Sequence, residues 1–169
     1  QSLTINKNDT SKKVIIAKDL IENFIKENEI SEHTFNFEIK GKELIGLNCK
    51  HPLFDSGYDF TVPVLHGDFV TTEQGTGIVH ICPVHGMDDF LLGKQHNLEL
   101  PMTIDEGGIY YEHIPVFAGK HIFKVDQDVC DEINNCNNLI SQGVLIHSYP
   151  HSWRSKAPLV YKNTSQWFI

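Results

Sequence analysis

The sequence has no C-x-x-C pair: its four cysteines, Cys49, Cys82, Cys130 and Cys136, stand apart along 169 residues. That excludes the usual thiolate spacing for tetrahedral zinc and any recognisable disulfide framework. In the segment from His147 to Ser155, serines at 152 and 155 occupy the places where a zinc knuckle needs cysteines, so no structural zinc is expected. There is no signal peptide and no apolar run long enough to cross a bilayer, which sets the expectation of a reducing, cytoplasmic location without a membrane partner. A run of Lys or Arg is missing too. With 14 basic against 22 acidic residues the formal charge is −8, which disfavours extended contact with a phosphate backbone. It does not disfavour holding one nucleotide at a chain end, because a small pocket needs local donors and acceptors only.

What is present suits one compact domain, with 40% hydrophobic residues. A short strand is expected at Val14 to Ile16. Leu20, Ile21, Phe24 and Ile25 then repeat at helical spacing, with Asp19 placed to cap the helix. From Thr34 to Val70, short alternating runs broken by Gly41, Gly46, Pro52, Gly57, Pro63 and Gly67 predict strands and turns. A β-branched strand is expected at Gly75 to Pro83, followed by a helix from about Met87. A β-rich stretch from Leu100 to Phe117, a helix from about Asp126 to Ser141 and a strand at Val144 to His147 complete the reading. No internal repeat interrupts it. The expected fold class is α+β, a strand-rich partial β-barrel with about three peripheral helices.

Between strand and helix, His80, Cys82, His85, Asp88 and Asp89 fall within ten residues. An extended strand puts His80 and Cys82 on one face, and a helix from Met87 puts both acids in its first turn. Three readings stay open. In the first, the acids complement the helix dipole and the histidine packs in a core. His-x-Cys-x-x-His followed by two aspartates offers metal ligands. A metal-free polar pocket, with a carboxylate holding a cationic group, is the third.

The run Gly75-Thr76-Gly77-Ile78-Val79-His80-Ile81-Cys82-Pro83-Val84-His85-Gly86-Met87-Asp88-Asp89-Phe90 resembles the editing insertion of the isoleucyl-tRNA synthetase family, with its G-T-G-x-V-H-x-x-P-x-H-G-x-D-D signature. Gly41 to Leu47 with His51-Pro52, Pro115 to Lys120, His147 to Pro150 and Ser165 to Ile169 agree in the family's order. The similar valyl enzymes typically carry lysine where His80 stands and asparagine where Asp88 stands. The resemblance implies one editing domain over 1–169, with about 151–169 returning toward the parent's synthetic domain. It also implies a monomeric fragment working with the rest of that synthetase.

The implied activity is hydrolysis of misactivated valine from the 3′ end of tRNA(Ile). A hydrophobic pocket separates isoleucine from valine by only roughly 1–3 kcal/mol, a limit for which the isoleucyl enzyme is the standard illustration. By resemblance, Asp89 binds the α-ammonium of the esterified valine and His80 borders the amino-acid pocket, excluding isoleucine. Cys82 lines the same wall, His85 and Asp88 join the substrate-binding set, and Gly75, Thr76 and Gly77 admit the terminal adenosine closely. No metal or cofactor is implied for this domain. ATP and Mg belong to the parent's synthetic site, whose H-x-G-H and K-M-S-K-S signatures do not occur here. The family's threonine-rich T-P-W-T strand is not found, and Gln1 to Ile5 look like the sequence just beyond it. The competing expectations are a metal-dependent hydrolase built on His80, His85 and an aspartate, and a non-catalytic binding fragment of a valyl- or leucyl-type synthetase. His33, His96, His113 and His121 read as surface or packing residues, and Trp153 and Trp167 as core or interdomain anchors.

Overall fold

The structure is a computed structural model that describes residues 1–7 and 10–167. Phe168 and Ile169, which end the last family-like motif, therefore lie outside the described residues. The backbone divides into two compact units, Gln1–His80 with Ile133–Ser141, and Ile81–Glu132 with the segment from Gln142 onward.

In the first unit, β1 (Ser2–Lys7), β2 (Thr10–Ile15) and β3 (Glu32–Phe37) form an antiparallel sheet in the order β2-β1-β3. The sequence pattern marks a strand only at 14–16, because Thr10 to Lys13 are polar and alternate weakly. Pairing with β1 makes that segment a strand. Leu3 and Ile5 point to one face of β1 and are buried with Ile16, Leu20 and Ile30. Val14, Phe24, Ile25 and Ile140 pack around them. Each fully buried Leu or Ile contributes roughly 1.5–3 kcal/mol relative to exposure.

Helix α1 (Ile21–Glu27) packs its half-buried apolar stripe, Ile21, Phe24 and Ile25, against this cluster and is led in by a 3-10 turn at Lys18–Leu20. Asp19 does not cap it. The extended residue before the turn is Ala17, and Asp19 lies inside the turn with no capping hydrogen bond. The helix stops where Glu29 takes φ 51° and the Ile30 N–H returns to the Ile25 carbonyl at 3.0 Å.

The expected strand-and-turn texture of 34–70 is present. β4 (Asn48–Lys50) pairs antiparallel with β5 (Thr61–Pro63), with 3-10 turns at Gly41–Glu43 and Phe54–Ser56. The class is α+β as expected. Among the described residues the five strands make two sheets, and neither closes into a barrel.

In the second unit, α2 (Met87–Gln95) forms where the helical period begins. Val84, Leu92, Ile104, Phe117 and Val125 are buried. The expected β-rich stretch at 100–117 is instead a set of turns with isolated bridges, Ile104 to Tyr110 and Ile109 to His121. Asp105 explains it: its Oδ1 accepts the Gly107 and Ile109 N–H groups at 2.7 and 2.9 Å, closing a turn that Gly108 completes at φ 76°.

Two further expectations are corrected. Helix α3 runs Asp126–Asn135 and stops short of Ser141, because Asn137 takes φ 55° and the Asn138 N–H closes on the Ile133 carbonyl at 2.9 Å. Val144 to His147 is no strand. It has β-branched residues but no partner ladder among the described residues, and Val144, Leu145 and Ile146 are 95%, 81% and 95% exposed. Trp153 and Trp167 are exposed and anchor no core. Among the described residues no helix is long and apolar enough to cross a membrane.

Candidate functional site

Gly75 to Pro83 does not form the expected strand. Gly75 and Gly77 adopt φ 70° and 75°, folding the chain into a turn. Pro83 has no N–H, and the Cys82 N–H is taken by a side chain, so no ladder can form through them. The strand-face argument that put His80 and Cys82 side by side therefore falls.

Within the first unit, Gly75 to Gly77 lies against the start of the α1 region. The Thr76 carbonyl accepts the Ala17 N–H at 2.8 Å, and a side chain on Gly77 would lie 2.6 Å from the Ala17 Cβ. The space that Gly77 leaves is thus filled by Ala17, whereas Gly75 faces open space. Thr76 Oγ1 donates to the Ile78 carbonyl at 3.0 Å. His80 is exposed, and its charge is felt by His51, whose imidazole is held below its ordinary pKa first by burial and then by His80.

Within the second unit, Asp88 and Asp89 occupy the first turn of α2, as expected, where the dipole favours them. The residue before the helix is Gly86, with no side-chain cap, so Asp88 does not cap; it is exposed. Asp89 is half-buried and reaches back past Gly86, its Oδ2 accepting the Cys82 N–H at 2.8 Å. Gly86 permits this: a Cβ there would meet Oδ2 at 3.0 Å. Among the described residues Asp89 has no ion-pair partner and no other hydrogen-bond donor.

The Cys82 thiol is pushed up by burial and by the nearby Asp89 charge, so it stays protonated at neutral pH and is no nucleophile. His85 is tied down. Its Nδ1–H donates to the Tyr161 carbonyl at 2.7 Å, leaving Nε2 to accept from Thr103 Oγ1 at 3.5 Å. Among the described residues no three His, Cys, Asp or Glu side chains converge as a metal site. His33, His96 and His113 are exposed, and His121 accepts the Phe123 N–H.

A cavity of about 410 Å³ in the first unit, lined by Lys50, His51, Pro52, Phe54, Asp55 and Asn138, contains none of the expected site residues. His51-Pro52 is visible in the sequence as part of a family-like motif, but its setting is not. The 3-10 turn after β4 and the left-handed end of α3 assemble it, and neither has a strong sequence signal.

This α2 corner, with its half-buried, unpaired carboxylate, sits inside a chain that belongs to the editing-domain family of aminoacyl-tRNA synthetases: residues 3–143 match the family described as "Leucyl-tRNA synthetase, editing domain". Within that class the similarity is to isoleucine–tRNA ligases. The protein of Pelagibacter ubique is 46% identical over 94% of this chain, that of Gluconobacter oxydans 42% over 93%, and that of Idiomarina loihiensis 42% over 94%. The chain spans 18%, 18% and 16% of those proteins' lengths. The resemblance to an isoleucyl-type editing domain is borne out by these matches.

Proposed function

We propose that the chain is the proofreading part of an isoleucine–tRNA ligase and hydrolyses valyl-tRNA(Ile). Water adds to the ester carbonyl, the bond to the terminal ribose oxygen breaks, and valine and tRNA with a free 3′ hydroxyl leave. The observation that carries this reading is Asp89, a half-buried carboxylate aimed by one main-chain N–H and without an ion-pair partner among the described residues. Such a group suits an α-ammonium, which brings the missing positive charge and a charge-assisted hydrogen bond.

By the resemblance, His80 borders the valine side chain and excludes isoleucine, Cys82 supplies a neutral wall, and Gly75, Thr76 and Gly77 adjoin the terminal adenosine. The hydrogen bonds of His85 support a scaffolding part for it, and Asp88 adds negative potential at the rim. No metal or cofactor takes part in this scheme; ATP and Mg serve the parent's synthetic site. The working context is the cytoplasm, with the fragment monomeric when separated from the remainder of the synthetase.

The test is deacylation of valyl-tRNA(Ile) by the synthetase that carries this chain, compared with its Asp89→Ala variant. Loss of a charged hydrogen-bond anchor, worth about 1.5–3 kcal/mol, should slow the reaction at least tenfold. Equal rates would remove Asp89 from the mechanism. If chelation abolished the wild-type activity and stoichiometric zinc were found, the metal-free scheme would be wrong.

A further inference from the structure

We propose that residues 161–163 are a strap that sets the aim of Asp89, with His85 as the positioning residue through which it acts. This rests on the editing function proposed above and adds to that site a part that meets no substrate.

Three consecutive residues grip the second unit at three points. The Tyr161 carbonyl accepts the His85 Nδ1–H at 2.7 Å, the Lys162 ammonium pairs with Glu106 at 3.1 Å, and the Asn163 N–H donates to the Val84 carbonyl at 2.8 Å. Tyr161 leaves its ring largely in solvent, so its main chain makes the contact. Lys162 is the reverse: its side chain is 11% exposed against 89% for Glu106, so the stem is packed and the ammonium is held at its tip. A segment with neither helix nor strand structure is thereby fixed in register.

Two of the three grips fall on one turn. The turn is closed by the His85 N–H, which donates to the Cys82 carbonyl at 2.9 Å, and the strap holds its Val84 and His85 end. Its other end is Cys82, whose N–H donates to Asp89 Oδ2 at 2.8 Å. Between them Val84 is buried, and Pro83 lies so close to Gly93 that a Cβ there would meet it at 2.9 Å. A turn packed this densely shifts as a body. Displacing the strap therefore reaches the carboxylate through a single rigid step. His85 Nε2 faces Thr103 Oγ1 at 3.5 Å, so both ring nitrogens are engaged inside the protein, which suits positioning and not contact with the ester.

The test combines amide exchange of the 169-residue chain with valyl-tRNA(Ile) deacylation by the synthetase that carries it. His85→Ala should speed exchange of the Cys82 amide about tenfold, because the turn that orders it loses an anchor. It should also raise KM about fivefold or more with kcat within about twofold, the signature of lost uniform binding. His85→Asn, whose amide can donate to the Tyr161 carbonyl in place of the ring, should restore both. In an Asp89→Ala background His85→Ala should leave KM where it is, since its action passes through that acid. Should His85→Ala fail to fold, Lys162→Gln, which releases the middle of the strap, should still speed Cys82 exchange about threefold. A Cys82 amide indifferent to these variants, or a His85→Ala effect on KM that persists without Asp89, overturns the strap. Failure of the editing function reads out separately, as deacylation indifferent to Asp89→Ala while the Cys82 amide still responds to His85→Ala.

Discussion

At the scale of single residues, the site divides into groups that are held and groups that are free. His85 spends both ring nitrogens on Tyr161 and Thr103, and Thr76 turns its hydroxyl back on its own loop. His80 is exposed, with no hydrogen-bond partner among the described residues. If it gates the amino-acid side chain, His80→Ala should relax selection, and isoleucyl-tRNA(Ile) should be hydrolysed as well as valyl-tRNA(Ile). Paired deacylation assays on the two esters check this. An unchanged ratio of rates refutes the gate.

At the scale of elements, α2 shows how tightly the corner is built. Gly93 lies in the helix interior, and a Cβ there would sit 2.9 Å from Pro83 Cβ and 3.0 Å from its Cγ. Alanine gains up to about 1 kcal/mol of helix propensity over glycine. Pressing a methyl into a rigid proline ring costs about 1–3 kcal/mol, so Gly93→Ala should be destabilising on balance and lower the urea midpoint. The existence of α2 was legible in the sequence because its period changes at Met87 and acids open it. The segment before it departs from its strand-like pattern for a physical reason. Val79, Ile81 and Val84 carry strand propensity, but the left-handed Gly75 and Gly77 and the diversion of the Cys82 N–H to Asp89 are tertiary facts with no local pattern. β1 conversely has little local signal, since its buried apolar face is marked by Leu3 and Ile5 alone. α3 ends earlier than its sequence pattern suggests because an asparagine at 137, unlike a glycine, is a weak stop signal. The family signature gave the candidate residues, and the cavity around His51 had to await the fold.

At the scale of the whole molecule, the shifted groups set the dependence of stability on pH. His51 is held below its ordinary 6.5, so the unfolded chain binds more protons there, and stability falls as pH drops below 6.5. Asp105 is held below 3.8, first by the Ile109 N–H, and Glu38 below 4.5, first by Gln1. Their contributions are present above those values and disappear as pH falls through the folded ones. On the alkaline side, burial raises Cys82 above 9.0 and Tyr110 above 10.0, so the folded chain retains protons that the unfolded one releases. Stability should therefore be greatest between about pH 6.5 and 9 and decline on both sides. Urea midpoints measured across that range test it, and His51→Asn should flatten the step near 6.5.

The backward reach of Asp89 over Gly86 carries one more consequence. Position 86 has φ −135° and ψ 144°, a backbone that any residue adopts, so glycine is not needed there for the turn. A methyl at that point would press on the carboxylate at 3.0 Å and swivel it away from the Cys82 amide. Gly86→Ala should accordingly leave the melting temperature nearly unchanged while raising KM for the valyl ester, because the aim of the acid is calibrated by a neighbour that never meets the ligand.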